Sequence, residues 1–256
     1  MKTSTPRTRQ HLNIKKNDFV LEVGGGHNPH TRSNVVVDKF LDSNYHRSGN
    51  IQVHQHQKFL QADGENLPFE DKTFDYVICN QVLEHVEDPA AFLREQMRVA
   101  KRGYLECPSL MGEYLHPKAS HKWLILEIEG KIVLMDKEIV GFKPSHDLGD
   151  VFLHYLPQHS IGYKMMQYTH GEVQNVIYEW EGEIEFLVNP TDERYVRCFK
   201  EAWTVETAEK FFPKRSLGQE LWMATKAFAF IVRSVLKSKV FQSKPVSIRE
   251  QSVQSR

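Results

Sequence analysis

Residues 62–89 read ADGENLPFEDKTFDYVICNQVLEHVEDP, and this stretch decides the fold. An acidic turn (Asp63, Gly64, Glu65) precedes Leu67, Pro68 and Phe69, and a second acidic turn leads into Phe74-Asp75-Tyr76-Val77-Ile78-Cys79. A short, nearly continuous apolar run bounded by turn residues is the pattern of a strand buried on both faces, and so of a parallel sheet. Asn80 and Gln81 stand at its C-terminal rim, where open α/β sheets place their ligand crevice. Residues 82–86 are expected to start a helix. Asp88 and Pro89 then start the next, as N-cap and first helical residue. Phe92, Leu93, Met97 and Val99 recur at helical spacing, Lys101, Arg102 and Gly103 close that helix, and residues 104–107 make a further strand.

Upstream, Phe19-Val20-Leu21-Glu22-Val23 has the same buried-strand character and runs into Gly24-Gly25-Gly26-His27-Asn28-Pro29. Glycines there let the backbone turn tightly and approach a ligand without Cβ interference. A second apolar run, Val35-Val36-Val37, ends in Asp38, sixteen residues after Glu22. A carboxylate ending the second strand is what a ribose diol needs as hydrogen-bond acceptor. The glycine loop lacks both the full G-x-G-x-x-G spacing and a phosphate-loop lysine, which points away from dinucleotides and nucleoside triphosphates. About ten residues separate loop and second strand, so the first crossover is expected to be a stub rather than a full helix.

In this order and spacing the two segments resemble the class I S-adenosylmethionine-dependent methyltransferases, in the subgroup with an LPF…FD…LEHV signature. The resemblance implies an α/β fold: a Rossmann-like, doubly wound, seven-stranded, mostly parallel sheet, here with an inserted cap and a C-terminal helix. It implies S-adenosyl-L-methionine as cofactor, with Glu22, Gly24, Gly26, Asp38, Asp63, Gly64, Asn80 and Gln81 in its site. Asp63 would accept from the adenine amino group and Gly64 would lie near the ring edge. Gly103 to Ser109, with the later His121-Lys122-Trp123, is similar to bacterial methyltransferase-like proteins associated with surface glycans and secondary metabolism. That similarity spans residues 19–137 and implies a reaction class, not a substrate.

The chain of 256 residues can bury a sizeable core. Its 33 basic and 33 acidic residues cancel, so no global field favours nucleic acid. RNA and DNA are not expected as partners, since the Pro-Pro-Tyr-like motif of amino-methylating enzymes is replaced by Asn80-Gln81-Val82. Three cysteines without paired spacing suit free thiols and a cytoplasmic setting, with Cys79 and Cys107 as core residues. No apolar run approaches the ~20 residues that span a bilayer.

The expected organisation is an N-terminal extension (1–18), an adenosylmethionine-binding half (19–110), a cap insertion with a β-hairpin (111–170), closing strands of the sheet (171–200) and a C-terminal helical segment with a polar tail (201–256). A first hairpin is expected at residues 121–128 and 131–135, and a second at 173–180 and 183–188. By the resemblance, the second hairpin would supply the two late strands of the sheet. Residues 217–241 read as a long helix with a broad apolar surface flanked by Lys226, Arg233, Lys237 and Lys239. Packing on the domain, a homodimer contact and peripheral contact with a membrane all stay open for it. Residues 243–256 are polar and expected to be disordered.

Methyl transfer to a hydroxyl needs alignment, exclusion of water and a base. Of thirteen histidines, His85, His121 and His116 are the candidates, with Glu106 and Glu113 behind them. His54 and His56 read as solvated surface. The acceptor expected is a small-molecule or glycan-like hydroxyl compound, or a lipid-linked one. A catalytically inactive binding or regulatory module on the same fold is the alternative, and a nucleotide-sugar or NAD enzyme is disfavoured by the missing phosphate-binding spacing. Ubiquinone-biosynthesis O-methyltransferases resemble this segment and bind a divalent cation through Glu-x-x-Glu-His. Here Gln81 replaces the first carboxylate, so no metal is expected.

Overall fold

The computed structural model describes residues 1–43, 49–144, 146–240 and 246–247, with side chains described up to residue 236. The strands are β1 (Lys2–Ser4), β2 (Val20–Val23), β3 (Val35–Asp38), β4 (Gln52–Val53), β5 (Lys58–Gln61), β6 (Tyr76–Asn80), β7 (Arg102–Pro108), β8 (Trp123–Ile128), β9 (Lys131–Asp136), β10 (Asn175–Glu181), β11 (Phe186–Val188) and β12 (Val246–Ser247). Seven of them form one sheet in the order β1-β10-β7-β6-β2-β3-β5. The five from β5 to β7 are parallel to one another, and β10 runs antiparallel to β7. Parallel strands are covered on both faces, which is why all four residues of β2 are buried.

The chain leaves β2 toward β3 and β5, then returns to place β6 on the other side of β2. Strand order reverses there, so the connections after β2 and β6 leave in opposite directions and a crevice opens beyond the C-terminal ends of the two strands. As the short spacing predicts, no helix links β2 to β3. The helix Pro89–Val99 starts as read, with Asp88 accepting from Ala91 N at 2.9 Å and Pro89 in its first turn. It buries Phe92, Leu93 and Val99 against the sheet. It stops at Val99, because Arg102 and Gly103 already belong to β7, which begins two residues earlier than expected. Residues 82–86 give only a single 3-10 turn, Leu83–His85. Gln81 adopts a left-handed conformation there (φ 58°), which breaks the path into a regular helix.

The sheet closes differently from the expectation. Only β10 of the second hairpin joins it, and the outer edge is β1, from the supposed extension. β11 instead pairs in parallel with β9, making a three-stranded sheet β11-β9-β8. This small sheet is no cover over the crevice. Trp123, Ile125, Ile132 and Leu134 pack into the core cluster that contains Leu105, Tyr178 and Trp180 of the main sheet. Its other face, with Leu124, Leu126 and Val133, meets Tyr195 and Phe199 of the helix Glu193–Lys200. Cys79 and Cys107 are buried core residues as read.

The helix Leu217–Val240 packs on the helix Ile161–Thr169. Ala227 is buried, whereas Leu221, Trp222, Phe228 and Leu236 are exposed. No helix among the described residues is long and apolar enough to cross a membrane. The expected polar tail, 243–256, lies outside the described residues except for β12, which pairs with β4.

Candidate active site

The glycine loop leaves β2 through Gly24 and Gly26, both left-handed (φ 71° and 52°). Gly24 N donates to Val37 O at 2.8 Å, which ties the loop to β3. A Cβ on Gly24 would fall 2.2 Å from Val82 Cγ2, so the ends of β2 and β6 touch only because that Cβ is missing. Gly64 is just as confined: its Cβ would meet Phe92 Cε2 at 2.5 Å. A cleft of 1120 Å³ opens above this junction. Its volume lies just above the about 300–1,000 Å³ of an ordinary ligand pocket.

Glu22, Gly24, Gly26, Asp38, Asp63, Gly64, Asn80 and Gln81 all line this one cleft, as do His85, His116 and His121. Their surroundings differ. Glu22 is fully engaged by its own chain, with donors Arg9 Nη2 (2.6 Å), His30 N (2.7 Å) and Ser33 Oγ (2.6 Å). Burial raises its pKa, with the Arg9 cation as the main opposing influence. Asp38 ends β3 and accepts from Phe40 N at 3.1 Å. Asp63 is held by Lys39 Nζ at 2.7 Å and accepts from Glu65 N at 3.0 Å. Gln81 Nε2 donates to Asn175 Oδ1 at 3.1 Å.

Arg9 was invisible in the sequence. It reaches the site because residues 6–10, in the connection after β1, line the cleft, and nothing in residues 1–18 marks one arginine for an ion pair with Glu22. Glu106, one of the weaker candidates, lies in the cleft wall with Tyr104, which the sequence did not mark: the tyrosine hydroxyl donates to the Glu106 carboxylate, whose pKa burial pushes up. Alternation along β7 could have placed both on one face. His54 corrects the reading of residues 54 and 56 as solvated surface. It is 8% exposed, its backbone N–H donating to Gln57 Oε1, while His56 is exposed.

The three candidate bases lie on the opposite wall. Lys122 N donates to Glu84 O and Trp123 Nε1 to Val86 O, each at 2.8 Å. These two bonds clamp the approach to β8 against the turn Leu83–His85, and so bring His121 edge-on to His85 with ring centres 4.6 Å apart. His121 Nδ1 lies 2.6 Å from Glu113 Oε2, and Lys137 holds the other Glu113 oxygen. Burial acts to raise the Glu113 pKa, but His121 and Lys137 outweigh it and hold the carboxyl below its usual range. Burial lowers the His121 pKa against the pull of Glu113. The consistent state is a carboxylate accepting from a neutral imidazole, so Nδ1 carries the proton and Nε2 the lone pair. His116 is buried too, and burial lowers its pKa. His85 Nδ1 lies 3.0 Å from Ser120 O, an acceptor that fixes the same tautomer. Between these rings sits Glu84, 1% exposed, its pKa pushed up to about 8 by burial.

A parallel sheet with a reversed strand order, a glycine loop after its first core strand and a carboxylate after its second define the class I methyltransferase type of domain. Residues 36–105 match the family model described as "Methyltransferase domain". The chain is 39% identical over 76 residues to norajmaline N-methyltransferase of Rauvolfia serpentina, a match covering 30% of this chain and 25% of that protein. It is 33% identical over 99 residues to demethylmenaquinone methyltransferase of Corynebacterium urealyticum, covering 38% and 43%. A methyltransferase structure from Thermotoga maritima aligns at 21% identity over 39% of this chain and 48% of its own, with TM-score 0.29. The chain thus matches a quarter to somewhat under half of the length of these curated relatives.

Proposed function

We propose that this protein is an S-adenosyl-L-methionine-dependent methyltransferase that methylates a hydroxyl on a small-molecule, glycan-like or lipid-linked acceptor. The observation that carries this reading is one cleft with an unphosphorylated-ligand loop on one wall and an oriented Glu113–His121 pair on the other. The donor's chemical contribution is a methyl group on a positively charged sulfur, an electrophile that needs no further activation. Asp38 supplies a carboxylate for the ribose hydroxyls, and Asp63 and Gly64 shape the adenine end. Gly24 and Gly26 allow close approach of the methionine part. The acceptor oxygen is aligned behind the methyl carbon, its proton passing to His121 Nε2 as the carbon–oxygen bond forms and the carbon–sulfur bond breaks. His85 and His116 are the other candidates for that proton. The cleft walls exclude water from the reacting atoms.

Calorimetry with adenosylmethionine, adenosylhomocysteine and NAD tests the donor. Binding of the first two and not of NAD is expected, weakened by about 1–3 kcal/mol in Asp38→Ala and Asp63→Ala through lost charge-assisted hydrogen bonds. Wild-type affinity in both variants would remove the site assignment. With an acceptor found by screening hydroxyl compounds, at least one of His121→Ala, His85→Ala and His116→Ala should lower kcat tenfold, about 1.4 kcal/mol. No such loss in any of the three would end the general-base reading, and donor binding without turnover of any acceptor would favour the binding-module alternative.

A further inference from the structure

We propose that Glu84, His85 and His121 form a binding site for a divalent transition-metal cation of the zinc or manganese kind. The proposal does not depend on the methyltransferase reading. Its first support is Glu84, a buried carboxylate neither of whose oxygens has a hydrogen-bond partner among the described residues. Buried polar groups are nearly always satisfied, and a carboxylate without partner or countercharge is costly to bury. A cation there would supply both the partner and the countercharge.

The second support is the setting of the imidazoles. His85 and His121 each turn Nδ1 outward to a fixed acceptor, the Ser120 carbonyl at 3.0 Å and the Glu113 carboxylate at 2.6 Å. Each is thereby left with Nε2 as the nitrogen that can bind a metal, and His85 Nε2 is 3.9 Å from Glu84 Oε1. An outer carboxylate or carbonyl holding the far nitrogen is the usual arrangement behind a metal-bound histidine, where it fixes the ring and raises its basicity. Glu113 is itself anchored by Lys137, so the outer shell is complete.

Third, the three ligand atoms lie within 4.8 Å of one another. Ligands about 2.0–2.2 Å from a common ion are at most about 4.4 Å apart, so side-chain adjustments under about 1 Å complete the geometry. Two imidazoles and one carboxylate suit a borderline cation, whereas magnesium and calcium favour all-oxygen shells. The open positions face the cleft, where a bound cation would polarise an acceptor oxygen; the Nε2 lone pairs of His85 and His121 are then spent on the cation, and His116 is the candidate histidine left to take the acceptor's proton. The expectation of no metal rested on Gln81, whose amide is spent on Asn175. The missing ligand comes from His121, which the clamp between residues 122–123 and the Leu83–His85 turn brings in.

The test is titration of zinc and manganese into the chelator-treated, full-length protein by calorimetry, with cobalt(II) substitution read by its visible absorption. One cation per chain is expected, with affinity at least tenfold lower in His121→Ala and in Glu84→Gln and unchanged in His154→Ala, a cleft histidine outside the cluster. Glu113→Gln, which keeps the three ligands, should weaken binding about tenfold to a hundredfold. Thermal melts of each variant separate loss of ligand from loss of fold, and donor calorimetry on the same samples reads the methyltransferase proposal separately. Absence of stoichiometric binding by the wild-type protein overturns the inference. So does affinity unchanged in folded His121→Ala, or a cobalt spectrum identical in wild type and His121→Ala.

Discussion

Replacing Gly24 with alanine should destabilise this protein through two separable effects. Gly24 has φ 71°, and an alanine held there pays about 1–2 kcal/mol for the left-handed conformation. The stiffer unfolded chain returns about 0.4–1 kcal/mol, leaving about 1 kcal/mol from the backbone alone. The new Cβ would also lie 2.2 Å from Val82 Cγ2. Carbons pack at about 3.5–4.0 Å, so the ends of β2 and β6 must part by more than 1 Å, an overpacking cost of about 1–3 kcal/mol. The total is about 2–4 kcal/mol. Gly130, at the β8–β9 turn, is the control: φ is 79° and no atom lies within 4 Å of a Cβ there, so Gly130→Ala should show the backbone cost alone. Urea unfolding of Gly24→Ala, Gly130→Ala, Val82→Ala and the Gly24→Ala/Val82→Ala double variant completes the cycle. The double variant should recover about 1–3 kcal/mol relative to the sum of its singles. Equal losses in Gly24→Ala and Gly130→Ala, or strict additivity in the cycle, would refute the argument that the loop and Val82 define the cleft floor by contact.

His30 is held neutral, its pKa lowered to about 4 by burial first, then by Arg9, with Arg32 and His54 adding to the shift. The unfolded chain takes up that proton near 6.5, so stability is full above that value and falls as pH drops toward 4; at pH 5 the loss is about 2 kcal/mol at most. Urea midpoints at pH 7.5 and 5 should differ more for wild type than for His30→Gln, and equal differences would rule this histidine out as a source of acid sensitivity. Arg9→Ala leaves the buried Glu22 carboxylate without its countercharge and should cost about 3 kcal/mol, partly restored in Arg9→Lys; a loss below 0.5 kcal/mol would show the two hydrogen bonds from His30 N and Ser33 Oγ to suffice. On the C-terminal helix, Trp222→Ser with Phe228→Ser should change stability by no more than about 0.5 kcal/mol while altering oligomeric mass or sedimentation with anionic vesicles, and unfolding would assign that face to the core. Deleting the whole helix is the poorer test, because Phe230 and Ile231 line the cleft.

Sequence alone determined whatever rests on neighbours along the chain. The apolar runs at 19–23, 35–37 and 74–79 read as buried strands, the spacing after Gly26 argued against a full crossover helix, and Asp88-Pro89 marked the start of one. These features name the crevice, and the eleven candidate residues line it. Tertiary structure decided where short segments with no local signature went. A three-residue β1 fits many sheet edges by pattern, and it took the edge beside β10 that the second hairpin was expected to fill. Phe186–Val188 alternates equally well for either sheet, but only β9 offered a free edge beside it. Register and partner choice are set by burial of distant surfaces, and period-two alternation is blind to both. The same holds for the chemistry: Arg9 meets Glu22, and His121 meets Glu84, across separations in the chain that no spacing rule covers. Only the closing of the main sheet and the clamp at Glu84 and Val86 bring those charges together.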